Sequence, residues 1–202
     1  KKYVKKYFKE QVLPILSPQI VDANHPFPHL LNKAIYVTAN LKHKESEKGK
    51  TTLGIVPVPQ FVSDILVLPG HDIRYIRMEK VIMEYLNLVF EQYEVSDANY
   101  ICVTRNADVS PDDEALEVND DFRLLMKETL HKRRKMAVVR LEIAEKLTGD
   151  MEKYFCEKFN ITPAQIFRTK MPMKLDYIFS IAGNLPESMK RSLTYTPFSP
   201  QN

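Results

Sequence analysis

The stretch Ala137-Val-Val-Arg-Leu-Glu-Ile-Ala144 sets Val139, Leu141 and Ile143 at alternate positions against Arg140 and Glu142. Successive side chains of a strand point to opposite faces, so this alternation predicts a sheet strand with one face buried. Working outward, residues 34–41, 52–58, 64–68, 73–77 and 99–109 have strand composition. A charged loop, 45–50, separates the first two, and the turn pair Pro69-Gly70 ends the third. Strands outnumber single crossover helices in the first half. The predicted class is therefore α+β, with a mixed, mainly antiparallel sheet packed with several amphipathic helices.

The helices follow from a different period. Tyr3, Val4, Tyr7, Phe8 and Val12 predict a helix over 2–13 that stops near Pro14, and Pro18, Pro26 and Pro28 predict irregular extended chain over 17–28. Met78, Val81, Ile82, Tyr85, Leu86 and Val89 share one helical face directly after strand 73–77. An acidic loop, 110–119, leads into an expected helix over 120–134, with Phe122, Leu125, Met126 and Leu130 inward. Residues 149–159 repeat the pattern with Met151, Tyr154, Phe155 and Phe159. Thr162-Pro-Ala-Gln165 has the form of a capping box with proline at the first helical position. A short strand over 166–169 and helices over 175–181 and 186–193 complete the reading.

The chain has 202 residues, which suits one domain or at most two small ones. Hydrophobic residues make up 44% and charged residues 27%, the balance of a folded domain rather than a disordered one. Its 29 Lys and Arg nearly cancel 26 Asp and Glu, and the resulting +3 is too small to imply a polyanion partner by composition. Cys102 and Cys156 are too few for a disulfide framework and read as buried thiols of a reducing compartment. No apolar run approaches the ~20 residues that span a bilayer. The basic start, Lys1 to Phe8, has no apolar stretch behind it and is not a signal peptide; with no initiator Met, it suggests an excised piece.

Each candidate for chemistry has a plainer structural reading. His25 and His29 stand four apart, but Pro26 and Pro28 forbid the helix that would align them, and Asp22 is the only acid nearby. The expectation is a proline-locked loop that packs Phe27 into the core, with no metal. His131-Lys-Arg-Arg-Lys135 is the strongest basic run; at a helix carboxyl end such charges stay solvated and oppose the macrodipole. Its functional alternative is a polyphosphate contact through Lys132, Arg133 and Arg134. Lys1, Lys2, Lys5, Lys6 and Lys9 share that ambiguity. Asp108, Asp112, Asp113 and Glu114 do not match a calcium loop. None of the five glycines forms a phosphate-cradling motif, and neither cysteine has a convincing histidine base. Catalytic, cofactor and metal residues are all expected to be absent from this segment.

Several stretches, in order along the chain, resemble the polyphosphate kinase family. Tyr7-Phe-Lys-Glu-Gln-Val-Leu-Pro-Ile-Leu-Ser-Pro18 is similar to the family's "YF…V.P.LTP" lead-in, and Val21-Asp-Ala-Asn-His-Pro-Phe-Pro28 to its "DPAHPFP". Val103-Thr-Arg-Asn-Ala-Asp108 resembles "VTRDAD", Ala137-Val-Val-Arg-Leu-Glu142 resembles "AVRLE", and residues 197–200 resemble "PFTP". Ser17 stands where the family has Thr, and Ala23-Asn24 where it has Pro-Ala.

The resemblance implies residues 1–193 as the head, or middle, domain and 194–202 as a linker toward a first catalytic domain. The family's full-length enzyme of the phosphohistidine type reversibly moves the terminal phosphate of ATP onto polyphosphate, with Mg. Its nucleophilic histidine and its Mg- and phosphate-binding residues lie in later domains, so none maps onto this chain, and His25 is not the catalytic histidine. For this segment the resemblance implies a non-catalytic, dimer-forming role beside the polyphosphate path. It also implies the remaining kinase domains as partners, no nucleic acid, and a cytoplasmic site, with peripheral membrane association open for the parent. Two alternatives stand beside it: a stand-alone polyanion-binding module using the basic runs, and a purely structural interaction domain.

Overall fold

A computed structural model describes residues 1–44, 51–70, 73–106, 126, 137–144, 147–196 and 198. Its main feature is a six-stranded sheet. The strands are β1 (Gln19–Val21), β2 (Ile35–His43), β3 (Thr51–Pro57), β6 (Tyr93–Arg105), β7 (Val138–Ile143) and β8 (Ile166–Arg168). They lie in the order β1-β3-β2-β6-β7-β8, antiparallel except for the parallel pair β7–β8. A parallel pair needs a long crossover, and α4 (Gly149–Phe159) supplies it. The mixed, mainly antiparallel sheet of the α+β reading is thus the observed one.

Both faces of the sheet are covered. On one, Tyr36, Ile55, Ile101, Leu141 and Ile143 pack with Met151, Phe155 and Phe159 of α4. On the other, Val37, Ala39, Leu41, Val56 and Tyr100 meet the N-terminal helical segment and the pair α2 (Met78–Glu84) and α3 (Leu86–Val89). By alternation, β2 turns Tyr36 to the first core and Val37, Ala39 and Leu41 to the second. Gly54 marks a close approach within the second core: a Cβ there would lie 2.7 Å from Leu41 Cδ1 and 2.9 Å from Phe90 Cζ.

The helix α4 shows why its residues fold as they do. Met151, Phe155 and Phe159 recur every fourth position and are all buried. Asp150 and Glu152 lie in the first turn and Lys158 in the last, each favoured by the helix dipole. Asn160 adopts φ 53°, and the Ile161 N–H reaches back to the Cys156 carbonyl at 3.0 Å, closing the helix. The Thr162–Gln165 capping box forms as expected, around a single 3₁₀ turn at Pro163–Gln165.

Several expectations need correction. The first helix ends near Pro14 as expected but is not one regular α-helix: α1 (Lys2–Tyr7) passes into a π turn, Phe8–Val12, and a 3₁₀ turn, Leu13–Ile15, that holds Pro14 in its first turn. The tightened turn accommodates a residue with no N–H to give. The supposedly irregular 17–28 contains β1, which pairs with β3. The expected helix 78–89 breaks at Tyr85, whose ring lies 5.0 Å from Phe8. Strands 64–68 and 73–77 shorten to β4 (Ile65–Val67) and β5 (Tyr75–Arg77), which form their own hairpin sheet. The expected strand 99–109 begins at Tyr93, because β2 continues to pair outward as far as His43. A bulge there is absorbed by Asp97 at φ 47°, whose carboxylate accepts from Asn40 Nδ2 at 3.1 Å.

In the opening stretch, Leu141 and Ile143 are buried, but Val139 is exposed and Val138 is buried in its place. A register shift opposite Thr104 and Arg105 reverses the alternation at that point. The expected helices 175–181 and 186–193 are α5 (Tyr177–Asn184) and α6 (Glu187–Leu193), neither with a buried residue. Of the expected helix 120–134 only Met126 is described, and it is helical. The acidic loop 110–119 lies outside the described residues, as does most of the tail 194–202.

Candidate functional site

The Asp22–His29 loop is the most distinctive motif, and its parts have structural work. The backbone N–H groups of Asn24 and His25 each donate to Asp22 Oδ1 at 2.8 Å, and His25 Nδ1 lies 2.9 Å from the same oxygen. These bonds hold the Asp22 carboxyl below its usual range. Phe27 then inserts beside α4, with ring centroids 5.3 Å from Phe159, 6.2 Å from Tyr154 and 6.5 Å from Phe155. That is the packing expected of a proline-locked loop.

A second motif clasps the chain that follows. Arg105 Nε donates to the Leu30 carbonyl at 3.0 Å, its backbone N–H to Asn32 Oδ1 at 3.0 Å, and the Lys33 N–H to the Val103 carbonyl at 2.8 Å. The Leu31 N–H donates to Tyr36 Oη at 2.8 Å. Residues 30–33, which follow the Asp22–His29 loop, are thus joined to the distant Val103-Thr-Arg105 at one end of the sheet.

A buried charge cluster was missed by sequence reasoning. Arg77 Nη1 pairs with Glu79 Oε1 at 2.9 Å, Arg77 Nη2 donates to Tyr100 Oη at 3.2 Å, and Lys80 lies 5.9 Å from the Tyr100 ring centroid. Glu79 is buried, and burial pushes its carboxyl up despite the neighbouring guanidinium. Desolvation outweighs the attraction here. The cluster fastens the β5–α2 junction to β6. Its only local signal is the Arg-x-Glu spacing at a strand–helix junction, which is too common to find it.

The remaining candidates are placed as follows. Lys132, Arg133 and Arg134 lie outside the described residues, and so do Asp108, Asp112, Asp113 and Glu114. Lys1, Lys2, Lys5, Lys6 and Lys9 are exposed. Cys102 is buried in mid-strand, and burial raises its thiol to about 11, so at neutral pH it holds no thiolate. Cys156 is half-buried rather than deep in the core. Among the described residues no three or more His, Cys, Asp or Glu side chains gather where they could hold a metal ion. No helix among them is long and apolar enough to cross a membrane.

Comparison with known proteins fits this arrangement. The family model described as polyphosphate kinase middle domain matches residues 1–181. A polyphosphate kinase of Pseudomonas putida is 31% identical over 206 aligned positions, covering 99% of this chain and 27% of that protein. One of Bacillus cereus is also 31% identical, covering 100% of this chain and 29% of its own length. The crystal structure of polyphosphate kinase from Porphyromonas gingivalis superposes with a TM-score of 0.70 at 21% identity, over 100% of this chain and 27% of that one. That structural likeness speaks to the fold. The chain thus spans between a quarter and a third of the relatives it matches. With the middle-domain model matching nine-tenths of its length, the chain belongs to the polyphosphate kinase family, as its middle domain.

Proposed function

We propose that this chain is a non-catalytic structural and dimerising domain of a polyphosphate kinase. Its parent would reversibly transfer the terminal phosphate of ATP to polyphosphate through a phosphohistidine, with ATP, Mg and the phosphorylated histidine held by other domains. The observation that carries the reading is the middle-domain match over residues 1–181, combined with coverage of only 27% to 29% of the relatives' length. The local chemistry supports it: the Cys102 thiol is buried and protonated. Exposed Ile178, Phe179, Met189 and Leu193 on α5 and α6 offer apolar surface for other domains or a second copy. Contact of polyphosphate with Lys132, Arg133 and Arg134 belongs to the same proposal and rests on their charge.

The test is incubation of the 202-residue chain with γ-labelled ATP, Mg and polyphosphate, with acid-labile label on histidine and polyphosphate growth as readouts. Neither should appear. Label on any of its five histidines would overturn the non-catalytic role. Sedimentation of the same sample reads the dimer separately.

A further inference from the structure

A groove of about 760 Å³ runs between the start of α1, the β4–β5 hairpin and α2, away from the motif loop. Val4, Leu68, Ile76 and Val81 make its apolar wall, and Lys1, Arg74 and Lys80 bring three cations to it against the single carboxylate of Glu84. Arg74 and Lys80 are held in place by the fold. Leu68 N–H bonds the Arg74 carbonyl at 2.8 Å to close the hairpin, and Arg74 Nη2 donates to the Pro69 carbonyl at 3.5 Å. The guanidinium lies over Gly70, where a Cβ would stand 2.5 Å from Nη2, so the missing side chain makes room for it. Lys80 is steadied over the Tyr100 ring.

Apolar walls with a few converging polar groups, in a volume of this size, describe a small-molecule site. A protein partner would need roughly twenty to thirty residues on this side, more than the groove provides. The net positive rim selects an anion, and the apolar lining, in which Tyr3 and Tyr85 join the aliphatic residues, selects one with a hydrocarbon body. We propose that the groove binds a small amphiphilic anion of the fatty-acyl carboxylate class. Its tail lies against Val4, Leu68, Ile76 and Val81, and its head group on Arg74 and Lys80. This site goes beyond the family reading and does not depend on it.

The test is calorimetric titration of the 202-residue chain with decanoate and, separately, with neutral decanol. Decanoate should saturate one site, and decanol should bind about tenfold more weakly or worse, the scale of one charge-assisted hydrogen bond. Replacing both cations, Arg74→Gln with Lys80→Gln, should bring decanoate down to the decanol level and leave decanol unchanged. Met83→Glu, at a half-buried position of the same wall, should weaken both ligands. Circular dichroism confirms the fold of each variant, and if Met83→Glu unfolds the chain, the paired cation variant decides. Absence of a saturable site, equal affinity for decanol, or wild-type affinity in the doubly substituted chain would each overturn the proposal.

Discussion

Replacing Phe27 by alanine tests whether the Asp22–Pro28 loop is a packing device or a chemical one. The ring lies within 6.5 Å of three aromatic rings and is half-buried at the edge of the first core. Full Phe→Ala truncation in a core costs about 3–5 kcal/mol, and partial exposure places Phe27 below that. Tilted and edge-to-face neighbours add about 0.5–1.5 kcal/mol beyond area burial. A loss of about 2–3 kcal/mol follows. At about 2–4 °C per kcal/mol for a domain of this size, Tm should fall by about 4–12 °C. His25→Ala removes one exposed contact and leaves both backbone bonds to Asp22 in place. Its effect should stay within about 0.5 kcal/mol. Urea unfolding followed by circular dichroism, with an unchanged slope, measures both. Equal losses in the two variants, or a Phe27→Ala loss below about 0.5 kcal/mol, would refute the packing account.

Glu79 makes a pH prediction. Its folded pKa is raised by burial, so the folded state holds the proton more tightly than the unfolded chain, and its contribution is full below the unfolded value and lost as pH rises through the folded one. The stability difference between wild type and Glu79→Gln should therefore move against wild type as pH climbs from about 4.3 upward; a flat or opposite trend in urea midpoints would contradict this. Gly54→Ala forces a methyl against Leu41 and Phe90, both buried, and should cost about 1–3 kcal/mol; a neutral or stabilising outcome in thermal unfolding would mean that the two side chains yield freely. Arg133→Ser with Arg134→Ser should weaken polyphosphate binding by the chain and flatten its salt dependence, each lost phosphate contact lowering the log–log slope by about 0.7–0.9. Unchanged salt dependence in a filter-binding titration would remove those residues from the polyphosphate path.

Much of this protein was open to sequence reading because it depends on local periodicity. The alternation of Leu141 and Ile143 in β7, the i, i+4 stripe of α4 and the proline spacing around Phe27 act through neighbours within a few residues, so class, most elements and the inward turn of Phe27 followed from them. The absence of known phosphate-cradling or metal-spaced motifs was equally local. By contrast, where an element met a distant partner, the partner decided. The sequence starts this strand only at Asn99, yet pairing with β2 carries β6 back to Tyr93 by means of a bulge at Asp97. A second shift, opposite Thr104, exposes Val139 and buries Val138. The Arg105 clasp, the Arg77–Glu79–Tyr100 cluster and the groove beside α2 each join residues far apart in the chain. Side-chain period reports which face of an element is apolar; only the packed chain decides what that face meets, because burial and desolvation energies belong to contacts between elements rather than to any one of them.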